Sequence, residues 1–378
     1  MNVQIPLFCV RHGQAAGLES AVSNLISGIL LTGTRVALPY ASLQRLNPDF
    51  VRWTETQPLI HTEKYPCVDG GMWTRFVEET AYYNIVKSRD PVIFPNYFIP
   101  PGIPGRRAPA FTYIHDCQHR VFPQYFSQRK RLWLDWIFQR SLRSAARVFL
   151  ISEFEKEQLA RFYGDDSIAR CTVVYNPVDW NRYSVGAVSE ATRALSEKRF
   201  ILSVSHQYPH KNTATVVEAF VSIAAKFPDL HLVLVGRGSK AVTEQISAVD
   251  DAGVRARISL TGFIRDADLG HLYMNCQAFV LASEYEGFGM PAVEAMGFAV
   301  PVIVTNGSSL PEVTMGRGIY VEPNSPVGTW AETIAQQLRA SRAHQHLAES
   351  AAAVRDRYQP ATIAESVMKC VETAAWHA

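Results

Sequence analysis

The stretch Ser283-Glu-Tyr-Glu286-Gly-Phe-Gly-Met-Pro-Ala-Val-Glu294 brings together residue types that can do chemistry as a group. An apolar run ends at Leu281, a glycine-bearing loop follows, and Pro291 stands where a helix should begin. Proline suits a first helical turn because it has no amide hydrogen to leave unbonded there. Gly287 and Gly289 let the backbone approach a ligand, and a helix start aims amide hydrogens outward, which favours phosphate. Phe288 and Met290 complete the loop that would line such a site. A carboxylate beside a diphosphate is repulsive unless it has another task, and accepting two hydroxyl hydrogens from a sugar diol is one. Glu286 and Glu294 therefore point to a nucleotide sugar, with one acid for each sugar ring and amides for the phosphates between. The plain alternative is an exposed loop acid followed by an acid that complements a helix dipole.

A second signal is His206-Gln-Tyr-Pro-His-Lys211-Asn212, directly after the apolar run Phe200–Val204. A cation at the mouth of a parallel strand can neutralise a leaving diphosphate, so Lys211 is the candidate and His206 its companion. A solvated strand-end lysine would look the same alone; beside the Glu286 loop the signal gains weight.

These loops need elements to hold them. In the second half, Phe200–Val204, His231–Val235, Arg257–Leu260, Ala278–Leu281 and Val300–Val304 read as strands, the last closing the set. Helices are expected over 213–227, from about Lys240, over 267–275 and from Pro291. The first half has apolar runs at 91–94, 111–114, 148–151 and 171–174, separated by helix-like segments. Runs rich in β-branched residues without polar alternation, joined by helices, argue for parallel sheets covered on both faces. The expected fold class is α/β: two doubly wound, Rossmann-like domains facing a central cleft, with ligands outside the carboxyl ends of the strands. The boundaries read as 1–185 for an acceptor-binding domain and 186–355 for a donor-binding domain. A tail helix over 356–378 would cross back onto the first.

Length and composition agree. At 378 residues the chain suits two domains, and 47% apolar against 19% charged residues excludes a disordered or fibrous chain. A formal charge of +2 excludes a dedicated nucleic-acid binder. No apolar run reaches the ~18 residues of a membrane span, and Met1–Val10 lacks the basic start of a signal peptide. The six cysteines are scattered without a CxxC pair, as reduced core residues of a cytoplasmic protein are. Charge is uneven. From 129 to 147 run Arg129, Lys130, Arg131, Arg140, Arg143 and Arg147 against the single acid Asp135, with Trp133, Trp136, Ile137 and Phe138 interleaved. One reading is a helix lying peripherally on an anionic membrane surface; the other is a helix with aromatics inward and solvated arginines.

The pair Glu286 and Glu294, seven residues intervening, with the surrounding EGFGMPAVEAM, resembles the glutamate motif of the retaining glycosyltransferases of family four, which have the GT-B fold. Pro301-Val-Ile-Val, Ser309-Leu-Pro-Glu-Val, Val280-Leu-Ala-Ser and Val173-Val-Tyr-Asn-Pro-Val-Asp179 support the resemblance. It covers nearly all of the second half and, more loosely, the first from about Phe111. It implies a metal-independent, retaining transferase. Such an enzyme would move a sugar from a nucleotide diphosphate sugar (GDP-mannose or another NDP-hexose) to a carbohydrate or lipid-linked glycan, as in surface polysaccharide or lipopolysaccharide assembly. The nucleotide sugar is then a co-substrate, with no resident cofactor. The resemblance further implies that Glu286 contacts the donor sugar hydroxyls, Glu294 the ribose diol and Lys211 the diphosphate. His115 matches a histidine that reaches the donor sugar, and Gly13 to Gly17 a glycine loop after the first strand. The family usually has arginine where this chain has His206, after a glycine where it has Ser205; imidazole cannot make a bidentate fork to phosphate.

Three other patterns compete. Gly236-Arg-Gly238-Ser-Lys-Ala241 fits a dinucleotide fingerprint, so an NAD-dependent oxidoreductase is an alternative, as is a catalytically silent sugar-nucleotide binder. Asp266-Ala-Asp268 mimics a metal-binding DxD but reads as helix-start acids. His115, Cys117 and His119 lack a fourth ligand in view, so no metal site is expected.

Overall fold

The computed structural model describes residues 1–12, 16–66, 74–86, 88–102, 108–340 and 344–375. The chain forms two compact units: unit 1 is Met1–Val178 with Tyr358–Ala378, and unit 2 is Asp179–Arg357.

Unit 1 alternates strand and helix: β1 (Asn2–Gln4), α1 (Ala16–Leu31), β2 (Arg35–Tyr40), α2 (Pro48–Glu55), β3 (Ile60–Lys64), α3 (Thr74–Ile85), β4 (Val92–Phe94) and β5 (Ala110–Ile114). Then come α4 (Gln118–Val121), α5 (Gln128–Ser144), β6 (Arg147–Leu150), α6 (Glu153–Tyr163) and β7 (Cys171–Val173). The seven strands are all parallel, in the order β3-β2-β1-β4-β5-β6-β7.

Unit 2 follows with α7 (Glu190–Ser196), β8 (Arg199–Val204), α8 (Thr213–Ile223), β9 (Leu230–Val235), α9 (Lys240–Ser247), α10 (Ala252–Arg255), β10 (Ile258–Gly262) and α11 (Asp266–Asn275). It is completed by β11 (Ala278–Leu281), α12 (Met290–Gly297), β12 (Val302–Thr305), α13 (Leu310–Val313), β13 (Ile319–Val321), α14 (Val327–Arg339) and α15 (His344–Tyr358). Its six parallel strands run β10-β9-β8-β11-β12-β13. The last helix, α16 (Pro360–Ala375), returns to unit 1 and packs on α1. The packing is close enough that a Cβ on Gly28 would sit 2.2 Å from the Pro360 carbonyl oxygen.

The central strands of both sheets are buried on both faces, which is why they carry uninterrupted apolar runs. In β8, Phe200, Ile201 and Leu202 are all fully buried, as is every residue of β11 apart from a trace at Leu281. The core of unit 2 gathers Ile201, Leu232, Val280 and Ile303 from the sheet with Phe220, Trp330 and Ile334 from α8 and α14. That of unit 1 gathers Phe94, Ile114, Val148 and Leu150 with Tyr82, Phe138 and Leu159. Val300–Val304 does not close the second sheet: β13 adds an edge strand beyond it, too short to announce itself in the sequence.

The units divide after Val178, seven residues before the boundary expected at 185. The reason is the 3₁₀ segment Trp180–Ser184, which is seated in unit 2. A Cβ on Gly297 would meet the Trp180 Nε1 at 2.1 Å, and one on Gly270 would meet the Tyr183 Cβ at 2.6 Å. Both glycines are where they are because an aromatic side chain lies against the helix backbone. Among the described residues Cys9, Cys117, Cys171, Cys276 and Cys370 are free thiols.

Candidate active site

In unit 2 the strand order reverses between β8 and β11, which are neighbours in the sheet although far apart in the chain. The crevice outside the carboxyl ends at such a reversal is where open α/β sheets bind ligands. The two loops that leave these strands there are 205–212 and 282–289, the ones that carry Lys211 and Glu286. A backbone bond from Glu284 N to the His210 carbonyl, 2.9 Å, ties them together.

The Lys211 Nζ lies 2.7 Å from the Glu286 Oε2, with the two side chains only 16% and 11% exposed. Lys211 ends a 3₁₀ turn, Pro209–Lys211, and Asn212 takes the left-handed conformation (φ 49°) before α8 begins. Ser283 Oγ donates to the other Glu286 oxygen, Oε1, at 2.8 Å. The loop after β12 supports the same residue: Glu286 N donates to Ser308 Oγ (3.1 Å), and Ser309 Oγ donates to the Glu286 carbonyl (2.8 Å). Ser308 is held at φ 53°, an uncommon conformation for a residue with a Cβ. Three strand-end loops thus hold one residue, two of them at its carboxylate and the third at its backbone. Ser283 and Ser309 stood inside quoted motifs, but nothing in the sequence said that their hydroxyls would serve Glu286.

Gly289 caps α12 in the left-handed conformation (φ 78°), and a Cβ there would sit 2.7 Å from Leu310 Cδ2. Pro291 occupies the first turn of the helix. Phe288 and Met290 are buried, 2% and 8% exposed. The backbone of these two residues runs through the loop-to-helix junction at the strand ends.

Glu294 is also buried, its side chain 6% exposed. Arg182 donates to its Oε1 at 3.1 Å and the Tyr273 hydroxyl to its Oε2 at 2.9 Å. Neither partner was singled out from the sequence, because each is distant from Glu294 along the chain.

Burial works against the charged form of the histidines at this site. Burial lowers the pKa of His206, with Arg237 and Lys211 adding to the effect. His206 Nδ1 accepts from the Arg237 amide at 3.4 Å, and its ring lies edge-on to Phe263. His210 is pushed down to about 4, chiefly by burial and then by Lys211. Near neutral pH Lys211 therefore supplies the positive charge of this loop. In unit 1, His115 follows β5, and its Nε2 lies 2.7 Å from the Pro95 carbonyl oxygen. A carbonyl only accepts, so Nε2 carries the hydrogen; burial lowers the pKa of this ring too, leaving Nδ1 as an acceptor. Gly13 lies outside the described residues.

The competing patterns have structural explanations. Gly236 (φ 123°) is needed because a Cβ there would sit 2.2 Å from the Ser205 carbonyl oxygen, where the ends of β8 and β9 cross closely. Asp266 and Asp268 part company on α11. Asp268 accepts from Ser189 N (2.7 Å) and Arg265 (3.1 Å), while Asp266 lies 3.7 Å from the Arg182 Nε. His119 is buried and shares its Nε2 between Asp135 (3.0 Å) and Tyr163 (2.9 Å). Among the described residues no group of three or more His, Cys, Asp and Glu side chains is placed to hold a metal ion.

The basic stretch forms α5 up to Ser144, while Arg147 opens β6. Ile137 and Phe138 point inward, but Leu132 and Trp136 are 64% and 49% exposed, so the aromatics do not all turn to the core. Its acid, Asp135, is occupied by Arg120, His119 and Tyr163, so the outer face carries the bases without it. Among the described residues no helix is long and apolar enough to cross a membrane.

Two family descriptions match the chain: "Glycosyltransferase Family 4" over residues 58–182 and "Glycosyl transferases group 1" over residues 187–354. Among curated relatives, the O-antigen chain mannosyltransferase B of Escherichia coli is 28% identical over 61% of this chain. The O-antigen chain mannosyltransferase RfbU of Salmonella typhimurium is 26% identical over 56%. The chain spans 60% and 56% of the lengths of those relatives. The solved structure of Anabaena Alr3699/HepE in complex with UDP and glucose aligns over 99% of this chain and 100% of its own, with a TM-score of 0.73 at 16% identity. That likeness establishes the GT-B fold.

Proposed function

The chain belongs to the family 4 glycosyltransferases, and on that premise we propose that it moves a sugar from a nucleotide diphosphate sugar to a carbohydrate or lipid-linked glycan in surface polysaccharide or lipopolysaccharide assembly. The observation that carries this reading is the Lys211–Glu286 contact of 2.7 Å at the β8/β11 reversal. It holds a cation for a diphosphate and an acceptor for sugar hydroxyls side by side. The names of the two mannosyltransferase relatives favour mannose as the transferred sugar, with GDP-mannose the first NDP-hexose donor to try.

In this reading unit 2 binds the donor and unit 1 the acceptor. Glu286 accepts hydroxyl hydrogens of the transferred sugar, Glu294 those of the ribose, and the backbone from Gly287 to Met290 lies along the phosphates. For His115 the resemblance implies a donor-sugar contact, and Nδ1 is the ring nitrogen not used on the Pro95 carbonyl. The bond from the anomeric carbon to the phosphate oxygen breaks as the acceptor oxygen bonds to that carbon. The acceptor proton passes to the leaving phosphate on the same face, so configuration is retained without a metal. Negative charge grows on the diphosphate during this step, so Lys211 stabilises the transition state more than the bound donor.

The test is a thermal-shift screen of nucleoside diphosphates followed by turnover of the matching sugar nucleotide. A ligand at a hundred times its Kd that binds only the folded chain adds about 2.7 kcal/mol. One diphosphate is expected to raise Tm, and its sugar nucleotide to be consumed with a glycan acceptor in excess EDTA. Binding without turnover for every donor and acceptor would make the chain a silent binder, and loss of rate in EDTA would overturn the metal-free step.

We place the acceptor's membrane under α5. Its exposed Leu132 and Trp136 beside Arg129, Lys130 and Arg131 suit an interfacial helix on anionic lipid. Each basic side chain near such a surface contributes roughly 1 kcal/mol. Replacing Arg129, Lys130 and Arg131 by glutamine is expected to weaken flotation with phosphatidylglycerol vesicles about a hundredfold and to leave secondary structure unchanged. Undiminished flotation would assign α5 to the solvated reading.

A further inference from the structure

Glu294 meets the proposed ribose with a carboxylate already engaged on both oxygens, by Arg182 at 3.1 Å and by Tyr273 at 2.9 Å. The Tyr183 hydroxyl also bonds this carboxylate, so of its four lone pairs one remains open, and its direction is set by the partners holding the others. Arg182 is well placed for that task because it is itself fixed. Its guanidinium lies 4.6 Å over the Tyr183 ring, it donates to the Tyr183 hydroxyl at 2.5 Å, and its Nε is 3.7 Å from Asp266. Burial works against its charge, but Tyr183 and the Glu294 and Asp266 carboxylates outweigh that and raise its pKa. The backbone around it is clamped as well. Trp180 Nε1 donates to the Glu294 carbonyl at 3.3 Å, and Gly297 leaves room for the indole. The 3₁₀ segment Trp180–Ser184 thus grips α12 twice at the residue that matters, once by its indole and once by its guanidinium.

We propose that Arg182 is a positioning residue for nucleotide recognition: it supplies the counter-charge of the buried Glu294 carboxylate and aims its remaining lone pair at the ribose diol. Arg182 touches no ligand in this arrangement, and the proposal rests on the ribose role of Glu294 given above. It assigns a task to the segment directly after the motif that runs from Val173 through Asp179, which the donor and acceptor roles leave unexplained.

The experiment is calorimetric titration with GDP and UDP and with their 2′,3′-dideoxy counterparts. Hydrogen bonds to a charged group contribute more than neutral ones, so the wild type is expected to prefer the ribose form about tenfold to a hundredfold. In Arg182→Lys, which keeps the charge but not the planar fork, that preference is expected to fall to threefold or less. Affinity for the dideoxy form should stay within about threefold of wild type. A merely structural arginine would weaken both forms alike and leave the preference unchanged, which would overturn the proposal. A wild type without preference would instead remove the ribose role of Glu294. Should Arg182→Lys fail to fold, the double variant Arg182→Gln with Glu294→Gln, which leaves no unpaired charge, is compared with Glu294→Gln alone. Equal preferences in the two are expected if the arginine acts through Glu294. A further loss in the double variant would show that it acts independently, against the proposal.

Discussion

Lys211→Met is expected to lower kcat about 10²- to 10³-fold, the effect typical of removing one preorganised group that meets developing charge. Methionine keeps an unbranched stem of similar length and loses only the ammonium. The loop has no second cation to replace it, since burial holds His206 and His210 below their ordinary values, His210 at about 4. Because the charge on the leaving diphosphate is larger in the transition state than in the bound donor, kcat should fall further than KM rises. Steady-state rates over a range of donor concentrations read this split, with circular dichroism to confirm the fold. A kcat within threefold of wild type would remove Lys211 from the reacting centre. A rise in KM alone would make it a uniform binding group.

Glu286→Gln should be nearly as damaging, lowering kcat/KM about 10²-fold, and by a different route. The glutamine keeps one oxygen, which can still accept from Ser283, as Glu286 does at 2.8 Å. Its amide nitrogen then replaces the oxygen that faces the Lys211 Nζ, setting donor against donor where the wild type has a 2.7 Å ion pair. The sugar loses an acceptor, and the ammonium loses the partner that fixes its position. Since the proposed contact of Glu286 is with the transferred sugar, affinity for the nucleoside diphosphate alone should stay within about threefold. Initial rates and calorimetry on the same preparation separate the two. If diphosphate affinity collapsed while turnover survived, Glu286 would belong to the nucleotide and not to the sugar.

Much of this was legible in the chain because it is local. The loop-to-helix junction at Gly289 and Pro291 is specified within a few residues, by a glycine that accepts φ 78° and a proline that suits a first helical turn. Strands buried on both faces declare themselves by unbroken apolar runs, which is why β8, β9 and β11 could be read directly. β3 could not: Ile60–Lys64 is short, polar and exposed at the sheet edge, with no core to impose a pattern on it. The loop itself left another point undecided. A ligand-lining phenylalanine and a core phenylalanine look alike in sequence, and only the tertiary structure shows that Phe288 and Met290 are buried.

By itself, then, the amino-acid sequence determined the parallel α/β class, the two acids bracketing a glycine loop and the lysine at a strand end, since each is written in neighbouring residues. Only the tertiary structure decided what those groups touch. Lys211 meets Glu286 because β8 and β11 pair where the strand order reverses. Arg182 meets Glu294 because the Trp180–Ser184 segment docks on α12. Such contacts join residues far apart in the chain through packing that no local spacing encodes.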